Sequence, residues 1–424
     1  MAADGQATAA PRTEPDWLKE LRERALARYD ELPVPNQKQK GWEFTDLSGF
    51  DPEAFASTGP LDPGVEPARA PVVAPDGRPS LLAVDGDFDQ TTALAPEGLV
   101  LSTLAEAAAD HGEIVKRHLG SLVLDADKFA AQNSASWDAG AFVHVAAGAK
   151  IEEPVVITSI QASDGTVIPW RSLIVVEPGA EVTVVEQYLS SEDQLDAYFN
   201  PVTELIVGEG AAVRYLCVQD LSERSWILGS QRAQIARDAS LHWVGLGLGS
   251  GQGKLRMETD ITGKGASARV TGAYVGHGAQ HLDYDTTQEH AAPHTTSDLA
   301  FRGILRDRAT AVWSGMIKVD PGAQRTDAFQ ESRNLLLSDG AHADAIPGLE
   351  IEANDVRCTH AATVARLDED QIFYLMSRGL TRPDAERMLV GGFLEVIAGR
   401  LEGSPFLHEV VSGALERELE RVLT

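Results

Sequence analysis

The sequence predicts a mainly β chain, a solenoid of short strands flanked by helical regions, and three observations carry that prediction. First, apolar β-branched runs recur from about Ala141 to Leu367, among them AFVHV, PVVIT, SLIVV, VTVVEQY, ELIVG, VRYLCV and SLHWVGL, the signature of strands of four to eight residues. Second, a small-residue turn of one form separates them: GAK at 148, GAE at 179, GAA at 210, DAS at 238 and GAS at 265, in steps of 31, 31, 28 and 27 residues. Later landmarks follow at RAT 308, GAQ 322 and GAH 340. Third, helical periodicity is confined to the two flanks, which argues against a doubly wound sheet, where helices alternate with strands. Inexact but persistent repetition favours a solenoid whose coils bury their apolar sides on one another. Pattern alone leaves a sandwich or barrel open.

The chain divides accordingly into residues 1–135, helical and irregular; 136–367, the β core; and 368–424, helical. Residues 1 to about 12 read as a disordered leader. A helix is expected from Glu14 to Tyr29, capped by Thr13, with Pro15 in its first turn and Trp17, Leu18, Leu21, Ala25 and Tyr29 at helical spacing. Pro33 and Pro35 then forbid continuous helix, and Trp42 and Phe44 are expected to anchor the extended stretch. Residues 51 to about 100 are rich in Pro, Gly and Asp, with a strand over Ser80–Gly86. Short helices follow at Leu104–Asp110 and Gly112–Leu119, and a turn at Asp127–Gln132.

Beyond Leu367 the period becomes helical. Asp368 caps a helix through Ser377, closed by Gly379, with Ile372, Leu375 and Met376 as its apolar side. Thr381 and Pro383 open a second, carrying Ala385, Met388, Leu389, Phe393 and Ile397, with Gly391 and Gly392 weakening it unless they permit close packing. A last helix from Ser404 to Leu423 presents Leu407, Val410, Val411, Leu415, Leu419 and Val422. Short terminal helices need a partner surface, either the solenoid itself or another subunit.

The chain has 424 residues, 43% of them hydrophobic, enough for a substantial core. It carries 36 basic against 64 acidic residues, a net charge of −28. That balance argues against a nucleic-acid or anionic-membrane surface. No run of 18 apolar residues is present, so no membrane span is expected, and the start lacks the form of a secretory signal. Cys217 and Cys358 stand far apart with no CxxC, which suits a reducing, cytoplasmic compartment. No GxGxxG, GxxxxGK[ST] or GxSxG stands in a credible setting, so no enzymatic activity is expected.

Two constellations remain. Cys358 and His360 are separated by one residue. On a strand, positions i and i+2 face one side, so thiolate and imidazole could meet one metal or sulfur species. Two ligands do not complete a tetrahedral site, and a core thiol beside a hydrogen-bonded imidazole is the competing reading. His277, His281, His290 and His294 lie close in sequence, but their spacing fits no compact metal motif, and two polar strands with a turn near Pro293 explain them. Cys217, in VRYLCVQD, alternates into an apolar row and is expected to be buried.

Long stretches resemble the SufB/SufD family of iron–sulfur cluster assembly proteins, on its SufD-like side: PDWLKELRERALARYDELPVP, GWEFTDL, RSLIVVEPGAEVTVVEQY and the block from Ser297 to Leu380. The resemblance covers about residues 14–424. It implies a right-handed parallel β-helix between helical regions, and a non-catalytic scaffold in a complex with a SufB-like subunit and a SufC-like ATPase. The SufB-like subunit would pair through the β-helix and its final coils up to His360. The ATPase would bind the helices from Asp368 onward, and the chain alone could form a homodimer. No stably bound cofactor is implied. His360, in the motif CTH, would ligate a transient iron–sulfur cluster shared with the SufB-like subunit, Cys358 less certainly so. The motif continues CTHAATVARLDE where the family's commoner form is CTHGATVGQLDE, so Ala361 replaces a glycine.

Overall fold

The computed structural model describes residues 14–57, 65–75, 77–88 and 95–423. The expected leader and the expected cap Thr13 lie outside them. Helix α1 spans Asp16–Glu31, two residues later than its periodicity predicts, because Pro15 is extended and serves as the N-cap rather than entering the first turn. The proline-bearing stretch that follows is irregular as expected. Trp42 is buried within it, but Phe44 is exposed, so only Trp42 of that pair anchors the segment.

Then come β1 (Ala56–Ser57), β2 (Ser80–Val84), β3 (Asp87–Phe88), β4 (Leu99–Thr103), α2 (Leu104–Asp110), α3 (Gly112–His118) and α4 (Lys128–Ser136). A capping box between Thr103 and Glu106 starts α2. The expected turn at Asp127 is instead the start of α4: the Asp127 carboxylate accepts from the N–H groups of Phe129 and Ala130, both at 2.9 Å, which nucleates a full helix.

The β core runs through β5 (Ala141–Val145), β6 (Val155–Gln161), β7 (Thr166–Val176), β8 (Glu181–Ser190), β9 (Tyr198–Val207), β10 (Ala212–Asp220), β11 (Trp226–Ile235), β12 (Ser240–Gly247), β13 (Gln252–Ile261) and β14 (Ser267–Gly276). It continues through β15 (His281–His290), β16 (Thr296–Leu305), β17 (Thr310–Val319), β18 (Asp327–Leu336), β19 (His342–Ile351) and β20 (Arg357–Arg366). The odd strands from β5 to β19 stack in order into one parallel sheet, and the even strands from β6 to β20 into a second. Each coil contributes one strand to each sheet. The fold is a parallel β-solenoid, and the sandwich and barrel alternatives fall away.

The turn series marks one corner of that solenoid. Gly148, Gly179, Gly210, Asp238 and Gly265 all have positive φ and all lie where the chain passes from the odd sheet to the even one. The series continues at His294 (φ 61) and Arg325 (φ 61), residues whose side chains disguise a left-handed turn otherwise filled by Gly or Asp. The landmarks at 308 and 340 belong to the opposite corner, where β16 passes to β17 and β18 to β19. The two series interleave, which is why the later landmarks at 308, 322 and 340 depart from the earlier spacing.

The interior holds aromatic and aliphatic side chains from both sheets, including Trp170, Tyr215, Trp243, Tyr274, Phe301 and Trp313. Both outer faces are partly covered too. Leu18, Leu104, Ala107, Val115 and Leu119 pack onto Phe142, Leu173 and Val175 of the odd sheet. The C-terminal helices α5 (Glu369–Ser377), α6 (Arg382–Gly399) and α7 (Pro405–Leu423) follow the solenoid, and α6 and α7 lie on the even sheet, against Val185, Leu216, Val244, Val275 and Ile304. Covering explains the patterning. Strand β7 is buried at all eleven positions, apolar except for Thr166, Arg171 and Ser172, whereas β17 is open on one side and alternates.

The partner surface of the terminal helices is thus this chain's own solenoid. Leu407, Val411, Leu415 and Leu419 of α7 are buried, each contributing about 1.5–3 kcal/mol. Gly391 and Gly392 permit no close approach, since a Cβ at either would meet nothing within 4 Å. Their cost in helix propensity, about 1 kcal/mol each, is carried by the docking of the face opposite.

Candidate functional site

The two ends of the solenoid are unlike. At the end nearest α1, β4 runs antiparallel on β5, and the antiparallel pair β2–β3 closes the even sheet. At the other end β19 bonds only to β17 and β20 only to β18, so both outer edges are free among the described residues. Apolar side chains stand exposed there: Ile346 40%, Leu349 37%, Ile351 41% and Val364 42%. Free edges with exposed apolar residues are templates for pairing with another chain.

His360 lies on β20 at this end, opposite Gln330 in register, and Cys358 lies opposite Ala328. Ala328 and Gln330 are buried, so Cys358 and His360 continue an inward-facing column past the point where a further coil would cover it. Burial falls off along the column. Cys358 is half-buried against Ile317, Val319, Ala323 and Val356, while His360 is exposed. Burial, and then the Asp327 carboxylate, push the Cys358 thiol above its ordinary range, which disfavours the thiolate a metal takes. Ala361 sits in regular strand opposite Glu331 and is not among the residues with positive φ. The position therefore makes no demand for glycine.

The structure brings the predicted pair to one face but supplies no completing set. Among the described residues, no group of three or more His, Cys, Asp or Glu side chains could hold a metal ion. Sequence reasoning missed His342 on β19, exposed at the same end, with its Nε2 3.2 Å from Asp344 Oδ2. The signal was the alternation in HAD.

The four clustered histidines are structural. The His281 ring nitrogen lies 2.8 Å from Thr310 Oγ1. His290 is buried between Thr295 Oγ1 at 2.8 Å and Ser297 Oγ at 2.9 Å, and burial brings it down to about 4. His277 faces Glu223 at 3.5 Å, and His294 occupies its turn. Cys217 is buried as expected. Desolvation, with Glu186 nearby, pushes its thiol up to about 12.

A second exposed feature lies on the C-terminal helices, and it corrects two expectations. Only Ile372 is buried on α5, whereas Met376 (43% exposed) and Met388 of α6 (55%) face outward. Phe373 at 73% and Tyr374 at 56% are exposed as well, so α5 and α6 leave four large apolar side chains uncovered. Arg382 ties the two helices together through both carboxylate oxygens of Glu369, at 3.0 and 2.6 Å.

Fold and site define a parallel β-solenoid open at one end, followed by helices that leave large apolar side chains exposed. Residues 158–393 match the family described as SUF system FeS cluster assembly, SufBD core domain, and residues 77–157 match the SufBD protein N-terminal region. The chain is 31% identical over 423 aligned residues to the iron–sulfur cluster assembly protein SufD of Bacillus subtilis, covering 96% of this chain and 95% of that protein. It is 30% identical to a SufBD family protein of Mycobacterium tuberculosis, over 76% of this chain and 83% of the relative. A SufBD family protein of Synechocystis is 27% identical, over 90% and 87%. This chain belongs to the SufBD family of iron–sulfur cluster assembly proteins. Among the described residues, no helix is long and apolar enough to cross a membrane.

Proposed function

We propose that this chain is the SufD-like, non-catalytic scaffold subunit of a cytoplasmic iron–sulfur cluster assembly complex, with iron and sulfide as its cargo. The observation that carries the reading is an exposed imidazole, His360, on the last strand of an uncapped solenoid. A SufB-like subunit would add its own strands to the free edges of β19 and β20, completing their hydrogen bonds and burying Ile346, Leu349, Ile351 and Val364. His360 would then lie at the seam, where a neutral imidazole is a good ligand for iron. The missing ligands would come from the partner. In the partner's absence, the same edges would accept a second copy of this chain.

Residues 368–424 serve, in this reading, as the docking region for a SufC-like ATPase, with the exposed Phe373, Tyr374, Met376 and Met388 as its contact. Docking there would let ATP-driven motion reach the seam through the short connection between β20 and α5. The two regions before it, 1–135 and 136–367, cap the solenoid and form it. The test is His360→Ala in the complete complex, co-purified anaerobically, with iron and sulfide quantified. We expect an intact complex with sharply reduced iron and sulfide, and unchanged content would refute the ligand role.

A purely structural role, with every ligand supplied by the SufB-like subunit, is the second reading. It is favoured by the half-buried Cys358 and by the lack of a three-ligand group among the described residues. Unchanged cluster content in His360→Ala would select it.

A further inference from the structure

A groove of about 510 Å³ runs between the even sheet and the connection from α6 to α7. It spans the even sheet from β10 to β18, one strand short of the open edge at β20. Its wall is a column of residues on successive coils: Arg214 of β10 pairs in register with His242 of β12, and His242 with Arg269 of β14. Strands stacked about 4.8 Å apart set the two arginine Cα atoms about 10 Å from one another. From the opposite side comes Arg400, the C-cap residue of α6. Gly403 and Ser404, at the amino end of α7, complete the rim.

The charges in this groove are unbalanced. Arg400 is occupied: it donates to the Asp298 backbone oxygen at 3.1 Å and to Thr271 Oγ1 at 3.3 Å, and it pairs with the Asp298 carboxylate at 3.1 Å. Asp327, the other lining carboxylate, pairs with Arg357 at 3.4 Å. Glu181, near Arg214, is held by Lys150 at 2.8 Å. Arg214 and Arg269 make no hydrogen bond or ion pair among the described residues. Two unpaired guanidinium groups on one wall are conspicuous in a chain of net charge −28. His242 registers the local field: burial, and then Arg269, Arg400 and Arg214, bring its imidazole down to about 4, so it is neutral at pH 7. Its ring nitrogen lies 3.1 Å from Thr271 Oγ1.

The amino end of α7 adds an independent attraction of the same sign. The first turn of a helix leaves backbone N–H groups without acceptors and carries the positive pole of the dipole. The volume suits a small ligand rather than a peptide chain. Planar guanidinium forks match phosphate oxygens in pairs.

We propose that this groove binds a small ligand bearing a diphosphate group, held by Arg214 and Arg269 and by the amino end of α7, with His242 between the two arginines on the wall and Arg400 facing them. Binding needs no phosphate-cleaving chemistry and is independent of cluster assembly, so it is tested on the full-length chain alone. The probes are inorganic pyrophosphate and ADP, titrated calorimetrically at pH 7 and low salt. We expect both to bind, with affinity falling as salt rises. Tighter ADP would identify a nucleoside diphosphate as the source of the group, and tighter pyrophosphate the inorganic anion.

In Arg214→Ala/Arg269→Ala the affinity should fall roughly ten-fold or more with the thermal midpoint unchanged, since both side chains stand on the outer face. Arg214→Lys/Arg269→Lys, which keeps the charge and loses the forks, should fall between. In wild type, ligand should move the His242 titration upward in proton NMR, because a bound anion offsets the three guanidinium charges. Absence of binding to wild type at millimolar probe, or undiminished binding in the alanine double variant, overturns the proposal.

Discussion

Arg171 on β7 and Glu204 on β9 are an ion pair at 2.6 Å with 1% and 0% of their side chains exposed, and removing the carboxylate tests what fastens the N-terminal region to the solenoid. Glu204 does more than face a charge. Its two oxygens accept from the backbone N–H groups of Gly120 and Leu122 at 2.7 Å and of Val123 at 3.0 Å. Arg171 in turn donates to Asn133 Oδ1 at 3.1 Å and Ser134 Oγ at 2.9 Å on α4. Glu204→Gln keeps the shape and leaves a buried guanidinium uncompensated, a loss of about 3–5 kcal/mol.

Replacing both partners by apolar residues, Arg171→Met/Glu204→Leu, removes the charges together, and an isolated ion pair so replaced is often neutral. Here three N–H groups lose their acceptors. Those of Gly120 and Leu122 are part-buried and can turn to water, but that of Val123 is buried. One orphaned donor costs about 1–3 kcal/mol, so the double variant should stay destabilised by that amount. Urea unfolding followed by circular dichroism measures both variants, and hydrogen exchange at residues 120–123 should show the loss locally. A double variant as stable as wild type, with protection at Val123 unchanged, would refute the reasoning.

Two further outcomes follow from the surface and the histidines. Phe373→Ser/Met388→Ser removes exposed side chains and should leave the unfolding free energy of the isolated chain within about 1 kcal/mol of wild type; pull-down with a SufC-like ATPase should fail, and retained binding would remove these side chains from the docking surface. Burial holds His290 at about 4, well below the ordinary imidazole value, so between that pH and about 6.5 the unfolded chain binds more protons than the folded one and stability is lost as pH falls. The carboxylates Asp138, Glu258, Asp285 and Glu418 are raised by desolvation and act with the opposite sign. The informative measurement is therefore the difference: urea midpoints from pH 7 to 4 should fall less steeply in His290→Gln than in wild type, and parallel slopes would count against the assignment.

Much of the fold is legible because a solenoid repeats its local chemistry. The helices α2 and α3 match expectation within a residue because Thr103, Gly120 and the alanines between them act locally. The corner turns are legible directly at positions such as Gly148 and Asp238, and at His294 and Arg325 only through their neighbours Pro293 and Gly322, because there tertiary pairing holds an unfavourable residue in the left-handed position. Periodicity misplaced Met376 and Met388 because it reports which side of a helix is apolar, not whether anything covers it. His360 was legible as a chemical group through two residues of spacing. Its exposure was not, because it depends on where the stacking of coils stops, and nothing in the CTH motif records that β20 is the last strand. The arginine column was invisible for a related reason: Arg214, His242 and Arg269 stand 28 and 27 positions apart and meet only through parallel register.

The contrast between the solenoid's ends also sets how far assembly can go. A stack of parallel coils is a growing rod, and two bare ends would let head-to-tail copies extend it into a fibre. The antiparallel strands β4 and β3 are reversed with respect to the coils, so they act as terminators at one end. In the proposed assembly, growth would then be confined to the end formed by β19 and β20, more than 230 residues away in sequence from the short strands that mark the opposite end.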